Sequence, residues 1–514
     1  MEYNQKTETH GARMQAMLCD RTVTTELTHD FSLPDYQPEV KRLLRVRATV
    51  SPADKYIGAG NAELSGTVDY NILYAGNDGA LYCANQTGEY RFSCPVEISE
   101  DFDTGEGILC DVETLADTLT GRVAAPRRLS LKCRLRSRVR MYGTRVLSER
   151  MSGSDREIAF QRLKKSAKCA RLFVGTCDPI SLGDEILFDA QNETLRVIAA
   201  EGQVYVHEAE AGSGCVNCRG EAVLKLLTTH EGGEALPTTQ TRKLPFSASV
   251  PVDGAEVNCD CMADGVCTEL SVTVEEGRIL CEVGVRLHAE AMRNEEISYT
   301  ADLYSTDALT ECRYKNLSIP YAVKCASGNF SLNTMLTLEE VGIRREQTVV
   351  DMSLTPGAVE LTCENGKYVV NGKCRALAIL CNGEEYGAQE FELPFRYECD
   401  GSEEICDYDC KVTPLSCRAR VDGERIAIDG ELFVNLATRN KETHTVLDEV
   451  SVGEAVKMCG SCYTVCYPSR EDTLWSVAKR YHRAVGEIAQ MNPLSGTPAA
   501  DATNSLDGIS YLLV

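Results

Sequence analysis

The sequence predicts a mainly β protein: three tandem antiparallel β-sandwich-like modules followed by a small βααβ domain. Three observations lead there. A set of anchors repeats at domain length, a strand with strict period-two alternation follows a tight turn in each copy, and the periodicity turns helical near the C-terminus.

The first anchor is a strand with a glycine near its start: AELSGTVDYNILY around Gly66, CVNCRGEAVLKLL around Gly220 and YVVNGKCRALAIL around Gly372. The second is a short aromatic segment, with Phe92, Phe246 and Phe395 as its equivalents. The third is a hairpin whose turn spans Ala125 to Arg128, Glu275 to Arg278 and Asp422 to Arg425. Glycine or proline sits in every one of these turns, as tight connections require.

The strand after each turn alternates. Leu129, Leu131, Cys133 and Leu135 share one face in the first copy, and Ile279, Cys281, Val283, Val285 and Leu287 do so in the second. Ile426, Ile428, Gly430, Leu432 and Val434 form the third row. Alternation means one buried and one wet face, and long strands without intervening helices imply antiparallel sheets packed on each other. The expected domains are 1–160, 161–305, 306–450 and 451–514, the last holding a linker and a folded core at 462–514.

The chain has 514 residues, 53 basic against 77 acidic, for a net charge of −24. Such a chain repels the phosphates of nucleic acid and an anionic membrane surface, so neither is an expected partner. The N-terminal residues contain no apolar stretch behind a basic start, and no apolar run is long enough to span a bilayer. A cytoplasmic protein is expected, in which most of the 25 cysteines stay free thiols packed as small hydrophobes.

The C-terminal core reads as strand, helix, helix, strand. A short strand is expected over Tyr463 to Val465, and Asp472 is expected to cap the first helix. Leu474, Val477, Ala478 and Tyr481 follow at helical spacing. A second helix near Val485 to Met491 buries Val485 and Ile488 and stops at Asn492-Pro493, and Ile509 to Val514 close the unit. Trp475 is expected to be exposed or half-packed.

With Tyr463, Val465, Asp472, Thr473, Leu474, Ala478, Tyr481, Ile488, Asn492, Pro493 and Gly508 at these spacings, this segment resembles a LysM domain. That resemblance implies a shallow groove for N-acetylglucosamine polymers, built from Asp472, Thr473 and Leu474 before the first helix and Met491, Asn492, Pro493 and Leu494 after the second. The chain departs from the family there. Glu471 replaces the usual glycine, and the stretch from Asn492 to Gly508 is long. Residues Leu33 to Val50, in which Pro38 is expected to open a short helix lined by Val40, Leu43 and Leu44, resemble the leading motif of SPOCS modules of clostridial sporulation proteins. The second and third copies then read as diverged SPOCS modules.

Phosphate-binding, nucleophile-elbow and H-E-x-x-H motifs are absent from the sequence, and no two histidines fall at ligand spacing. His207 and His288 lie in strand-like runs, where a structural role is expected. Cys215, Cys218, Cys259 and Cys261 are the nearest approach to a zinc set, but the C-x-C spacing suits a knuckle poorly. Cys459 and Cys462 flank the entry to the last domain. No catalytic residue, metal or cofactor is expected.

SPOCS-like modules ending in a LysM-like domain resemble the spore-coat morphogenetic proteins. That family implies a non-enzymatic scaffold in the mother-cell cytoplasm, around the forespore, whose LysM domain contacts the ATPase of the coat basement layer, with other coat proteins as further partners. The alternative is a peptidoglycan or other N-acetylglucosamine-polymer binding protein.

Overall fold

A computed structural model describes the chain except for residues 1–10, 59, 100, 104, 106, 154–157, 189–194, 231–235, 276, 384, 402–403, 457–463 and 495–501. It is mainly β and overwhelmingly antiparallel. The first unit contains β1 (Ala12–Ser32), β2 (Val40–Val50), β3 (Asp54–Gly58), β4 (Asn61–Gly76), β5 (Leu81–Pro95), β6 (Phe102–Asp103), β7 (Leu109–Ala125) and β8 (Arg128–Leu147), and the short β9 (Arg150–Ser152) that follows joins a sheet of the third unit. The second contains β10 (Phe160–Thr176), β11 (Ile180–Leu187), β12 (Leu195–Ala211), β13 (Cys215–His230), β14 (Thr238–Pro251), β15 (Asp260–Glu275) and β16 (Arg278–Ser305). The third contains β17 (Ala308–Thr337), the one-turn α1 (Leu338–Val341), β18 (Thr348–Glu364), β19 (Lys367–Asn382), β20 (Glu385–Asp400), β21 (Asp407–Asp422) and β22 (Arg425–Ala455).

Each unit is a pair of sheets with the same plan. One sheet is a meander, β2-β4-β5, β12-β13-β14 or β18-β19-β20. The other sets the long strand after the hairpin between the unit's first strand and the hairpin's other arm: β1-β8-β7, β10-β16-β15 and β17-β22-β21. The alternating rows face the partner sheet, and Leu131, Val285 and Ile428 are all fully buried in the cores between them.

The glycine anchors have a steric reason. Gly220 pairs with Phe246 and Gly372 with Phe395 across neighbouring strands, and each ring lies over its glycine. A Cβ on Gly372 would lie 2.5 Å from Phe395 Cζ. An aromatic neighbour thus covers the bare backbone of a glycine within a strand. In the first unit the residue opposite Gly66 is Tyr90, not Phe92, which pairs with Leu64 two positions along. The equivalence expected from the sequence is therefore corrected by one pleat.

The helix expected after Pro38 is also corrected: residues 40–50 form β2. Register shifts between Val40 and Arg42 and between Leu43 and Arg45 insert extra residues into this strand. Buried Val40 and Leu44 are consequently spaced like a helix face although the backbone is extended.

The three units close into a ring. β2 packs against β20 of the third unit, β12 against β5 of the first and β18 against β14 of the second, so equivalent strands meet in cyclic order. Mixed apolar clusters line the common axis. Leu73, Ala199 and Ile379 meet at one level, and Ala16, Ala167 and Ile319 at another. Two sheet edges of every unit (β2 with β7, β12 with β15, β18 with β21) turn toward the axis. The ring thereby shields edge strands that would otherwise offer unpaired backbone groups to other chains.

Candidate functional site

The C-terminal unit consists of β23 (Val465–Cys466), α2 (Leu474–Tyr481), α3 (Val485–Met491) and β24 (Leu512–Leu513), with β23 and β24 antiparallel. Leu474, Val477, Ala478, Ile488 and Leu512 are buried in its core. Tyr463, Cys459 and Cys462 lie outside the described residues.

Most of the seven residues expected at a groove hold the fold together. Thr473, rather than Asp472, caps α2: its backbone is extended and its hydroxyl accepts from Ser476 N at 3.1 Å. Asp472 lies one residue outside the cap. It accepts from Ser469 N at 2.9 Å and from Arg480 Nη2 at 2.5 Å, which hold its carboxyl below the usual range. Leu474 and Leu494 are core residues. Asn492 ties the end of α3 to β24: Nδ2 donates to Ile488 O and Leu513 O, and Oδ1 accepts from Leu513 N. Thr473 and Met491 are half-buried and Pro493 is exposed.

The long connection folds back onto the loop before α2. Leu506 N donates to Asp472 O and Trp475 N to Ala502 O, and Thr473 pairs with Ser505 in a β-bridge. Backbone groups on this side of the expected groove are thus engaged by the chain itself. At the β23–β24 hairpin, Val465, Tyr467 and Tyr511 are exposed, the tyrosines at 77% and 57%, while Cys466 and Leu512 face the core.

Trp475 is buried, against expectation. Its ring meets Tyr304 edge-on at 4.9 Å, and its indole N–H donates to Asp302 Oδ2 at 2.7 Å. Asp302 Oδ1 accepts from Lys479 Nζ at 2.6 Å and Tyr314 OH at 2.5 Å. Burial alone would raise the Asp302 carboxyl, and these donors outweigh it and hold the pKa low. Tyr304 OH donates to Arg483 O, and His482 Nδ1 lies 2.9 Å from Ser305 O. The unit is therefore docked where β16 hands over to β17.

A second polar site went unseen in the sequence because the ring creates it. A cavity of about 790 Å³ lies on the axis, with all three units in its wall. At one level Arg45 of the first unit, its side chain 3% exposed, contacts Glu201 of the second and donates to Asp351 of the third at 2.7 Å. Arg47 also contacts Glu201, and Lys225 Nζ lies 2.5 Å from Asp351 Oδ1. Burial would raise the Glu201 carboxyl, but Arg45 and Arg47 hold it down at about 2.

At another level Arg140 donates to Asp111 (2.6 Å), to Glu290 of the second unit (3.3 Å) and to Asp409 of the third. His288 joins Asp111 and Glu290. Burial would lower its pKa, and hydrogen bonds with these carboxylates raise it to about 10.

Among the described residues, Asp111, His288 and Glu290 are the group placed to hold a metal ion, whereas Cys215, Cys218, Cys259 and Cys261 do not converge. The described cysteines are all free thiols, of which Cys363 and Cys406 are exposed. No described helix is long and apolar enough to cross a membrane. Compared with family models, with curated proteins and with solved structures, the chain has no match.

Proposed function

We propose that the protein is a non-enzymatic scaffold of endospore coat assembly, acting in the mother-cell cytoplasm, with a LysM-like C-terminal unit as its partner-binding end. The preferred partner is the ATPase of the coat basement layer, and the three SPOCS-like units form the rigid body to which other coat proteins attach. The observation that carries this reading is the C-terminal unit itself. Residues 502–506 cover the loop where a glycan would be held, while Val465, Tyr467 and Tyr511 stand exposed. Exposed tyrosines supply large, amphipathic contact area and suit a protein partner.

Two further features support it. The docking of Trp475 on Tyr304 fixes the binding end relative to the ring, as a scaffold requires. The acidic chain suits a basic or neutral protein surface better than a polyanion. The test is co-sedimentation of the full chain with the polymerised ATPase of its own organism and, in parallel, with insoluble peptidoglycan. Retention by the ATPase that falls at least about tenfold in Tyr467→Ser/Tyr511→Ser supports the proposal. Retention by peptidoglycan alone supports the glycan-binding alternative and refutes it.

A further inference from the structure

We propose that Asp111, His288 and Glu290 bind one first-row divalent cation at the wall of the central cavity. His288 Nε2 lies 3.3 Å from Asp111 Oδ1 and 3.7 Å from Glu290 Oε1, and one donor atom from each residue falls within 4.8 Å of the others. Ligand bonds of about 2.1 Å place neighbouring donors roughly 3–3.5 Å apart, so small side-chain movements complete the set. Strand geometry brings the residues together. His288 and Glu290 alternate on one face of β16, and Asp111 reaches them from β7 of the first unit.

Three observations point to a cation rather than to a closed ion-pair network. First, the Glu290 side chain is only 6% exposed, yet its Oε2 accepts no hydrogen bond, and Arg439 Nη2 stands 3.9 Å from it. A buried carboxylate oxygen left this way is costly unless something positive sits against it.

Second, carboxylates from all three units converge here. Asp111, Glu113, Asp264, Glu290 and Asp409 line this part of the cavity, beside Arg140, Lys411, Arg439, Lys55 and His288. Arg138 alongside is matched by Asp20. Third, Arg140 bonds Asp111 through Oδ2 and leaves Oδ1 toward His288. Arg140 thus orients Asp111 from behind, as outer partners do at metal sites, and its 3.3 Å bond to Glu290 Oε1 leaves Oε2 as the oxygen without a hydrogen bond.

One imidazole nitrogen with carboxylate oxygens, open to a cavity that supplies water, is a donor set for Mn²⁺, Fe²⁺ or Zn²⁺. On binding, the ion takes the place of the proton that His288 presents to the two carboxylates, and that proton leaves to solvent. Because the ligands come from two units, the ion would also clamp the first unit to the second.

Mn²⁺ is the probe of choice, since it favours oxygen and nitrogen donors and so discriminates against the many thiols. Full-length protein, stripped with EDTA under reducing conditions, is titrated with Mn²⁺ and followed by electron paramagnetic resonance. The expected result is one bound Mn²⁺ per chain, with a ¹⁴N coupling from a coordinated imidazole in the wild-type protein. His288→Gln and Asp111→Asn each weaken binding by about 100-fold or more. Absence of a stoichiometric site, absence of the ¹⁴N coupling, or unchanged binding in both variants overturns the proposal. The nitrogen coupling is read on the wild type, so a variant that fails to fold does not blunt the test.

Discussion

Replacing Arg45 by methionine removes the one described side chain that touches carboxylates from both other units at its level of the axis. In the native protein its guanidinium contacts Glu201 and donates to Asp351 at 2.7 Å. The two carboxylate side chains are 10% and 2% exposed. Methionine keeps most of the aliphatic volume, so the change is mainly one of charge. Glu201 retains Arg47, and Asp351 retains Lys225. Breaking a buried ion pair from one side costs about 3–5 kcal/mol, because an uncompensated charge stays behind. With each carboxylate keeping one cation, the lower end applies, about 3 kcal/mol.

Urea unfolding followed by far-ultraviolet circular dichroism, with calorimetry in parallel, measures the loss. In an Asp351→Asn background the same substitution is expected to cost at least about 1 kcal/mol less, since the two residues share one interaction. A wild-type-like midpoint for Arg45→Met, within about 0.5 kcal/mol, would show that this cation does not lock the ring.

Three further outcomes follow from named contacts. Glu201 titrates at about 2 in the folded protein, below its ordinary value, so its contribution of about 3 kcal/mol is complete above pH 4.5 and is lost as pH falls toward 2. Acid unfolding of Glu201→Gln should therefore show a shallower pH dependence between those limits. Tyr304→Ser opens the pocket around Trp475, the single tryptophan, so native fluorescence should shift to longer wavelength, and an unchanged spectrum would contradict the docking. Gly372→Ala forces a methyl group into the Phe395 ring and should lower stability by about 1–3 kcal/mol in thermal unfolding.

What the sequence revealed was what is local. The hairpins at Ala125, Glu275 and Asp422 and the alternating rows behind them declare themselves because strand periodicity and turn chemistry act over a few residues. Helical spacing from Leu474 to Tyr481 did the same for the C-terminal unit. The errors arose where local pattern misleads or where partners are remote. Two bulges in β2 imitate a helix face. Tyr90 and Phe92 both fit an aromatic anchor, and only cross-strand register separates them. Asp472 and Thr473 are both good caps, and the backbone angles at Thr473 decide between them.

Trp475 finds its partner Asp302 173 residues away, and Arg45 reaches Asp351 across 306. Charged residues in strands read from sequence as solvated faces. Here the ring turns those faces inward, which is why the whole polar axis, His288 included, was invisible before the units were assembled.

The most direct test of the account is whether the exposed surface of the C-terminal unit holds a protein partner. Full-length chain and its Tyr467→Ser/Tyr511→Ser variant would be compared for binding to the polymerised basement-layer ATPase, with Trp475 fluorescence confirming that the unit stays docked in both. Saturable binding by the native chain, and its loss in the variant with an unchanged emission maximum, is the expected result. Equal binding by both chains, or binding to peptidoglycan and not to the ATPase, would contradict it.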